Sequence, residues 1–212
     1  MIIRTLIENK DLNGLRKILS SNPALANEGL PYDEENTTKA HPLHRICDGV
    51  FAGIYTDEEA VEIAKIFLQY GASVNGNEVI DNMDTPLVAA ASLHAEKVGI
   101  FFIEQGADIH HRGCHGGTAL HWAAWTGRDQ LVKKLLAEKA EINKRCVDFH
   151  GTPLLWALHG YKLGGKENRY NQVECVKHLL EAGADKTIPN KEGYLPIDFL
   201  SGADVELSQL LK

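Results

Sequence analysis

The chain repeats itself with a period close to 33 residues, and no other feature restricts its fold as much. Thr85-Pro86-Leu87-Val88-Ala89-Ala90-Ala91, Thr118-Ala119-Leu120-His121-Trp122-Ala123-Ala124 and Thr152-Pro153-Leu154-Leu155-Trp156-Ala157-Leu158 are three versions of one pattern, their threonines 33 and 34 residues apart. His41-Pro42-Leu43-His44 begins an earlier version, and Leu195-Pro196-Ile197-Asp198-Phe199 is a degenerate later one. A second signature interleaves with the first: Tyr70-Gly71-Ala72-Ser73-Val74-Asn75, Gln105-Gly106-Ala107-Asp108-Ile109-His110, Lys139-Ala140-Glu141-Ile142-Asn143 and Ala182-Gly183-Ala184-Asp185-Lys186-Thr187. Two interleaved signatures at one period imply a stack of similar small units, none with enough apolar surface to stand alone.

The unit itself reads as a helix pair. Thr118 suits a helix N-cap, its hydroxyl placed to accept from an orphan backbone N–H, while Leu120, Ala123 and Ala124 put small apolar groups on one stripe. Gly127 ends this first helix. A second stripe, Leu131, Val132, Leu135 and Leu136, has the spacing of a helix that buries one face, with Lys133 and Lys134 on the other side. Small alanines let neighbouring pairs approach closely. Gly71, Gly106 and Gly183 fall just past helices, where a left-handed residue is required and glycine adopts it without a side-chain penalty. Lys139 takes that place in one unit, and a small local cost is expected there.

These residues carry a family resemblance: the period and the T-P-L-H-x-A type of signature make the chain similar to ankyrin-repeat proteins, strongly from about residue 40 to 198 and weakly at both ends. The resemblance implies an all-α solenoid of stacked helix–loop–helix units joined by short β-hairpin-like connections. It is expected as a single domain, 1–212, of about six units: 1–39 as N-terminal cap, then 40–81, 82–114, 115–147, 148–189, and 190–212 as C-terminal cap. Residues 1–31 supply Ile2, Ile3, Leu6 and Ile7 and then Leu12, Leu15, Ile18 and Leu19; the other end supplies Ile197, Phe199 and Leu200 and then Val205, Leu207, Leu210 and Leu211 as a final helix pair. In the family, the histidine of the signature ties its loop to a neighbouring unit, which is the role expected of His44 and His121 rather than that of a general base.

The resemblance also implies where binding occurs, on a concave face formed by hairpin tips and the exposed side of each first helix. The tips here are Asn82, Met83 and Asp84; Cys114 and His115; and Asp148, Phe149 and His150. The variable positions at the ends of first helices are Ser92 and Leu93, Trp125 and Thr126, and His159. Trp125 stands at a position normally exposed, and large aromatic side chains dominate binding energies, so a hot spot is expected at Trp125 flanked by Phe149, His115 and His159. Trp122 and Trp156 fall where the unit buries an apolar residue and are expected in the core.

Two spacings break the period, 44 residues from His41 to Thr85 and 43 from Thr152 to Leu195. The extra residues follow a first helix in both places. Asp48 to Asp57 holds Gly49, Phe51, Gly53 and Tyr55; His159 to Asn171 holds Tyr161, Gly164, Gly165, Lys166, Arg169 and Tyr170. Both read as glycine-aromatic loops, and the second resembles loops of bacterial ankyrin proteins. Gly164-Gly165-Lys166 lacks the spacing, the following Ser or Thr and the preceding strand of a phosphate loop.

Charge and composition exclude other classes. Lys plus Arg total 22 against 29 for Asp plus Glu, a formal charge of -7, so nucleic acid and anionic membrane surfaces are poor partners and a basic or uncharged protein is a better one. No run of roughly 20 apolar residues spans a bilayer. No apolar signal core follows the amino terminus, where Glu8, Asn9 and Lys10 intervene, and Cys47, Cys114, Cys146 and Cys175 lie far apart, so reduced thiols in the cytoplasm are expected. His110, His111, Cys114, His115 and His121 are the one cluster with metal-ligand chemistry, but a hairpin tip sends alternate side chains to opposite faces, and no metal site is assigned. The scattered cysteines build no activated nucleophile. The expected function is therefore a non-catalytic, monomeric, cofactor-free module that binds another protein as a regulator or inhibitor, with a scaffold subunit or host-directed effector as the alternatives.

Overall fold

The computed structural model describes residues 2–35, 37–77, 83–163 and 169–212, with the side chains of 169 and 170 set aside. The positions of Asn82 and of Gly164-Gly165-Lys166 lie outside the described residues. Helices follow one another in pairs: α1 (Ile2–Glu8) and α2 (Leu12–Ser21), α3 (Pro42–Phe51) and α4 (Asp57–Gln69), α5 (Pro86–Ser92) and α6 (Glu96–Glu104), α7 (Ala119–Thr126) and α8 (Asp129–Ala137), α9 (Pro153–Leu163) and α10 (Arg169–Glu181), and finally α11 (Val205–Leu211). A two-stranded antiparallel ribbon, β1 (Leu30–Pro31) with β2 (Lys39–Ala40), pairs Leu30 with Ala40 before α3. This is the all-α repeat stack that the period requires. It falls into two compact units, one holding α1 to α6, the other holding Met83, Asp84 and everything from Ile109 onward.

Within each compact unit, like packs on like. α3 lies against α5 and α4 against α6; in the other unit α7 lies against α9 and α8 against α10. The seams are lined by fully buried alanines, Ala89, Ala90 and Ala91 on α5 and Ala123 and Ala124 on α7, with Leu87, Leu120, Leu131, Leu135, Leu154 and Phe102 as the large side chains between them. Pro42, Pro86 and Pro153 open their helices at a position whose N–H has no intrahelical partner. Thr85 and Thr152 cap as expected, accepting at 3.4 Å from the N–H of Val88 and of Leu155. Thr118 is likewise the N-cap of α7, in a capping box with His121: its N–H donates to His121 Nδ1 at 3.1 Å, and its hydroxyl lies 2.9 Å from that nitrogen.

The left-handed positions fall where glycine recurs. φ is 87° at Gly71, 84° at Gly106 and 92° at Gly183, and Lys139 is held at 64° in the equivalent place, so the expected local cost has a geometric source.

A second set of inter-loop bonds has no counterpart in the sequence reading. Asn27 Oδ1 accepts from Ser73 N at 2.7 Å and Asn75 Oδ1 from Asp108 N at 2.8 Å; in the other compact unit Asn143 Oδ1 accepts from Asp185 N at 2.9 Å. Each asparagine satisfies a loop N–H of the following repeat, so within each compact unit an amide side chain fixes the register of neighbouring loops. His110 holds the same motif position and stands 3.7 Å from Glu141. Asp57 has a comparable role between helices. It opens α4 beside a capping box of Thr56 and Glu59, yet its carboxylate accepts at 2.6 and 3.1 Å from the N–H groups of Lys97 and Val98, where α6 begins without a side-chain cap of its own. Burial pushes the Asp57 carboxyl above its ordinary pKa.

The described part of each insertion begins by lengthening a helix; residues 52–56 then form the turn into α4, and 164–168 lie outside the described residues. α3 continues through Asp48 to Phe51, and Tyr55 folds back over Gly49 to donate its hydroxyl to Ile46 O at 3.1 Å, buried. A side chain at Gly49 would collide with that ring, which accounts for the glycine. α9 likewise takes in His159 to Leu163, and Tyr161 donates to Asp204 at 2.8 Å. At the C-terminal end the expected helix pair is a 3-10 turn, Pro196–Phe199, followed by α11 with Leu207 and Leu211 buried.

Candidate functional site

The site grows from three successive turns in the second compact unit. The turn around Cys114–Gly116 holds His115 at φ 60°, and His115 O accepts from Val147 N at 3.2 Å and from Asp148 N at 3.3 Å. Phe149 O in turn accepts from Lys191 N at 2.9 Å. The ladder aligns the tips. His115 Nδ1 also meets Asp148 Oδ2 at 2.8 Å, an exposed pair.

Behind the tips, α7 and α9 bring their aromatic side chains together. Gly160 makes this possible: a Cβ there would lie 2.1 Å from Trp125 O, so only glycine lets α9 come this close to the end of α7. Gln172 Nε2 donates to the same carbonyl at 3.0 Å. Trp156 is buried, 4% exposed, and its Nε1 donates to Cys146 Sγ at 3.4 Å. Trp122 meets it edge-on at 5.0 Å, Trp125 at 5.7 Å, and Trp125 meets His159 at 4.8 Å. His159 contacts Phe199 at 5.6 Å, and His115 contacts Phe149 at 5.7 Å. The outcome is a basin of about 690 Å³ lined by seven aromatic rings, those of His115, Trp122, Trp125, Phe149, Trp156, His159 and Phe199, with Asp148, Glu192 and Lys191 at its edge.

Of the residues singled out from sequence, His115, Trp125, Phe149 and His159 therefore share one basin. Trp125 is half-buried, set in the basin and also leaning on α9. Thr126 is a correction: it is only 7% exposed, its hydroxyl donates to Trp122 O at 2.9 Å, and little of it is left for a partner. His150 is exposed with φ 51°, and Arg145 donates to its carbonyl. Met83 is 60% exposed, its carbonyl accepting from His111 Nε2 at 2.7 Å; Asp84 accepts from Cys114 N at 2.8 Å. Ser92 and Leu93 end α5 in the other compact unit, half-buried, with Ser92 donating to Ala89 O. Trp122 is the second correction. It was expected in the core and lines the basin, half-buried, its buried Nε1 without a partner among the described residues.

Sequence reasoning missed Phe199, Asn190, Lys191 and Glu192, because a terminal cap was read as closure alone. The signal was available in outline: Asn190-Lys191-Glu192 occupies the next tip of the series. The signature histidine does tie loops, since His121 Nε2 donates to Lys144 O at 3.1 Å while Nδ1 accepts from Thr118. Burial holds its imidazole down to about 4, so it is neutral. His110, His111 and His115 point to separate partners, Glu141, Met83 O and Asp148, and no set of three metal-ligating side chains converges among the described residues. No helix among the described residues is long and apolar enough to cross a membrane.

Known proteins share the pattern. A family model described as ankyrin repeats, three copies, matches residues 50–146 and 116–190. The human palmitoyltransferase ZDHHC13 is 30% identical over 142 residues, 62% of this chain and 21% of that protein. The rat ankyrin repeat and SAM domain-containing protein 6 is 32% identical over 127 residues, 56% of this chain and 13% of its own length; the palmitoyltransferase AKR1 of Lachancea kluyveri is 31% identical over 77 residues, 36% and 9%. The chain thus spans about a fifth or less of these relatives. All three come from eukaryotes, so they lend no support to a bacterial affinity read from the second insertion. With the family model matching well over half of the chain, on the helix pairs and glycine turns described above, the protein belongs to the ankyrin-repeat family.

Proposed function

We propose that the protein is a non-catalytic binding module that docks a segment of another protein in the aromatic basin and along the tips beside it, acting as a regulator that covers part of its partner. One observation carries this reading: seven rings line a single open basin, and all of them but the buried Trp156 keep part of their surface exposed. Contiguous exposed apolar surface of this kind on a soluble fold marks an interaction site. Catalysis is left out on chemical grounds, since Cys47, Cys146 and Cys175 are buried and burial raises the pKa of the exposed Cys114 thiol, which lowers its thiolate fraction. The palmitoyltransferase names belong to proteins several times longer than this chain. Free thiols and a net charge of -7 support a reducing compartment and a basic or uncharged partner.

The test is affinity capture from the source organism followed by titration calorimetry with the recovered protein. Trp125→Ala and Phe149→Ala are each expected to weaken binding by about tenfold or more, and Lys133→Ala, exposed on α8 and outside the basin lining, to leave it unchanged. Circular dichroism checks that each variant is folded. Capture that ignores Trp125 and Phe149 would overturn the site.

A further inference from the structure

We propose that the basin receives a methylated lysine side chain from a basic segment of the partner, an inference that rests on the docking reading above and names what is docked. The ring geometry is the first reason. Neighbouring rings meet steeply, Trp122 and Trp156 at 81°, Trp125 and Trp156 at 69°, Trp125 and His159 at 89°, His159 and Phe199 at 73°. Parallel rings would make a flat platform for a planar group. Rings set at right angles form corners, and with the buried Trp156 as backing a compact group seated among the half-buried Trp122, Trp125, His159 and Phe199 meets more than one ring. Ring faces carry the negative part of the aromatic quadrupole and attract a cation within roughly 6 Å.

Charge is the second reason. Among the described residues that line the basin, Asp148 and Glu192 are the anions and Lys191 the single fixed cation, on a chain of net charge -7. Burial depresses the His159 pKa, which lowers the positive charge it contributes.

The third reason separates a methylated ammonium from a plain one. The ring-walled interior carries few acceptors of its own: Asn190 Oδ1 is already taken by the N–H groups of Glu192 and Tyr194, one Asp148 oxygen meets His115, and the remaining carboxylate oxygens belong to the exposed Asp148 and Glu192. Trp122 Nε1 and Trp156 Nε1 are donors. An unmodified ammonium has three N–H groups to satisfy and is strongly hydrated, so entering a ring-walled basin leaves them wanting. Methylation removes those donors while keeping the charge. An anion meets two carboxylates and no built cradle; a neutral aliphatic anchor fills the space but gains nothing from the charge.

The experiment uses fluorescence polarisation of the full chain with a panel of labelled basic peptides. Each carries at its centre lysine, trimethyllysine, or the neutral isostere in which carbon replaces the quaternary nitrogen. The trimethylated peptide is expected to bind about tenfold tighter than both others, with Trp125→Ala and Phe149→Ala abolishing the difference. Equal binding of trimethyllysine and its neutral isostere would overturn the cation and leave the docking reading intact. The methylated lysine is equally overturned, and docking again left standing, if no peptide binds while the captured partner is still lost with Trp125→Ala. Loss of neither peptide nor partner in the variants overturns both readings.

Discussion

At the scale of single residues, His121 couples the fold to pH. It is fully buried, both ring nitrogens are engaged, and its imidazole is held at about 4 against an ordinary 6.5. The folded chain therefore keeps it neutral, and the unfolded chain takes up a proton as soon as the pH falls below the ordinary value. Stability is fully present above about pH 6.5 and declines as pH is lowered toward 4, by about 3 kcal/mol in total from this residue. His41, also lowered to about 4 by burial and by the nearby His44, adds to the loss with the same sign. Urea titrations across that window should show a shallower pH dependence for His121→Gln than for the unaltered chain; identical slopes would remove His121 from the account. This role could be read from the motif, because its position repeats. The fate of the tryptophans could not. Whether Trp122 enters the core or lines the basin depends on how far α9 and the terminal turn advance, and Gly160 and Phe199, which bear on that, are distant in sequence from Trp122.

At the scale of elements, Gly160 decides how closely two helices meet. A methyl group there overlaps Trp125 O at 2.1 Å, and backbone cannot step aside as a flexible side chain can. Gly160→Ala should cost about 1–3 kcal/mol in chemical denaturation and also weaken partner binding, since α7 and α9 would separate and the basin with them. A variant with unchanged stability would show that the helices have slack. The element boundaries were mostly legible, because threonine, proline and glycine mark both ends of a helix. The insertions were not. A count of extra residues does not say whether they lengthen a helix or leave it, and Tyr55, with its hydroxyl returned to Ile46 O, shows that an aromatic in such a stretch can be structural.

At the scale of the molecule, stability is distributed along the chain as in other stacks, where each repeat answers to its neighbours. α2 packs chiefly on α1, the Pro23–Ala26 turn and α4, whereas α9 packs on α7, α10 and the Pro196–Phe199 turn. Leu15→Ala, at a fully buried site, removes about 2–5 kcal/mol of local support. Hydrogen exchange should then speed up in α1, α2 and α4 and leave α9 and α10 at their original rates. Uniform acceleration would mean a single cooperative unit.

The chain contains three tryptophans, Trp122, Trp125 and Trp156, and all of them line the basin. Its indole emission consequently originates in one place. Fluorescence-detected melting is blind to α1 through α6, while far-ultraviolet circular dichroism sees every helix, so a gap between the two curves measures how independently the two compact units come apart. The near-perpendicular indoles of Trp122 and Trp156, 5.0 Å apart, should also give an exciton couplet that any occupant of the basin perturbs, an optical reporter that needs no label.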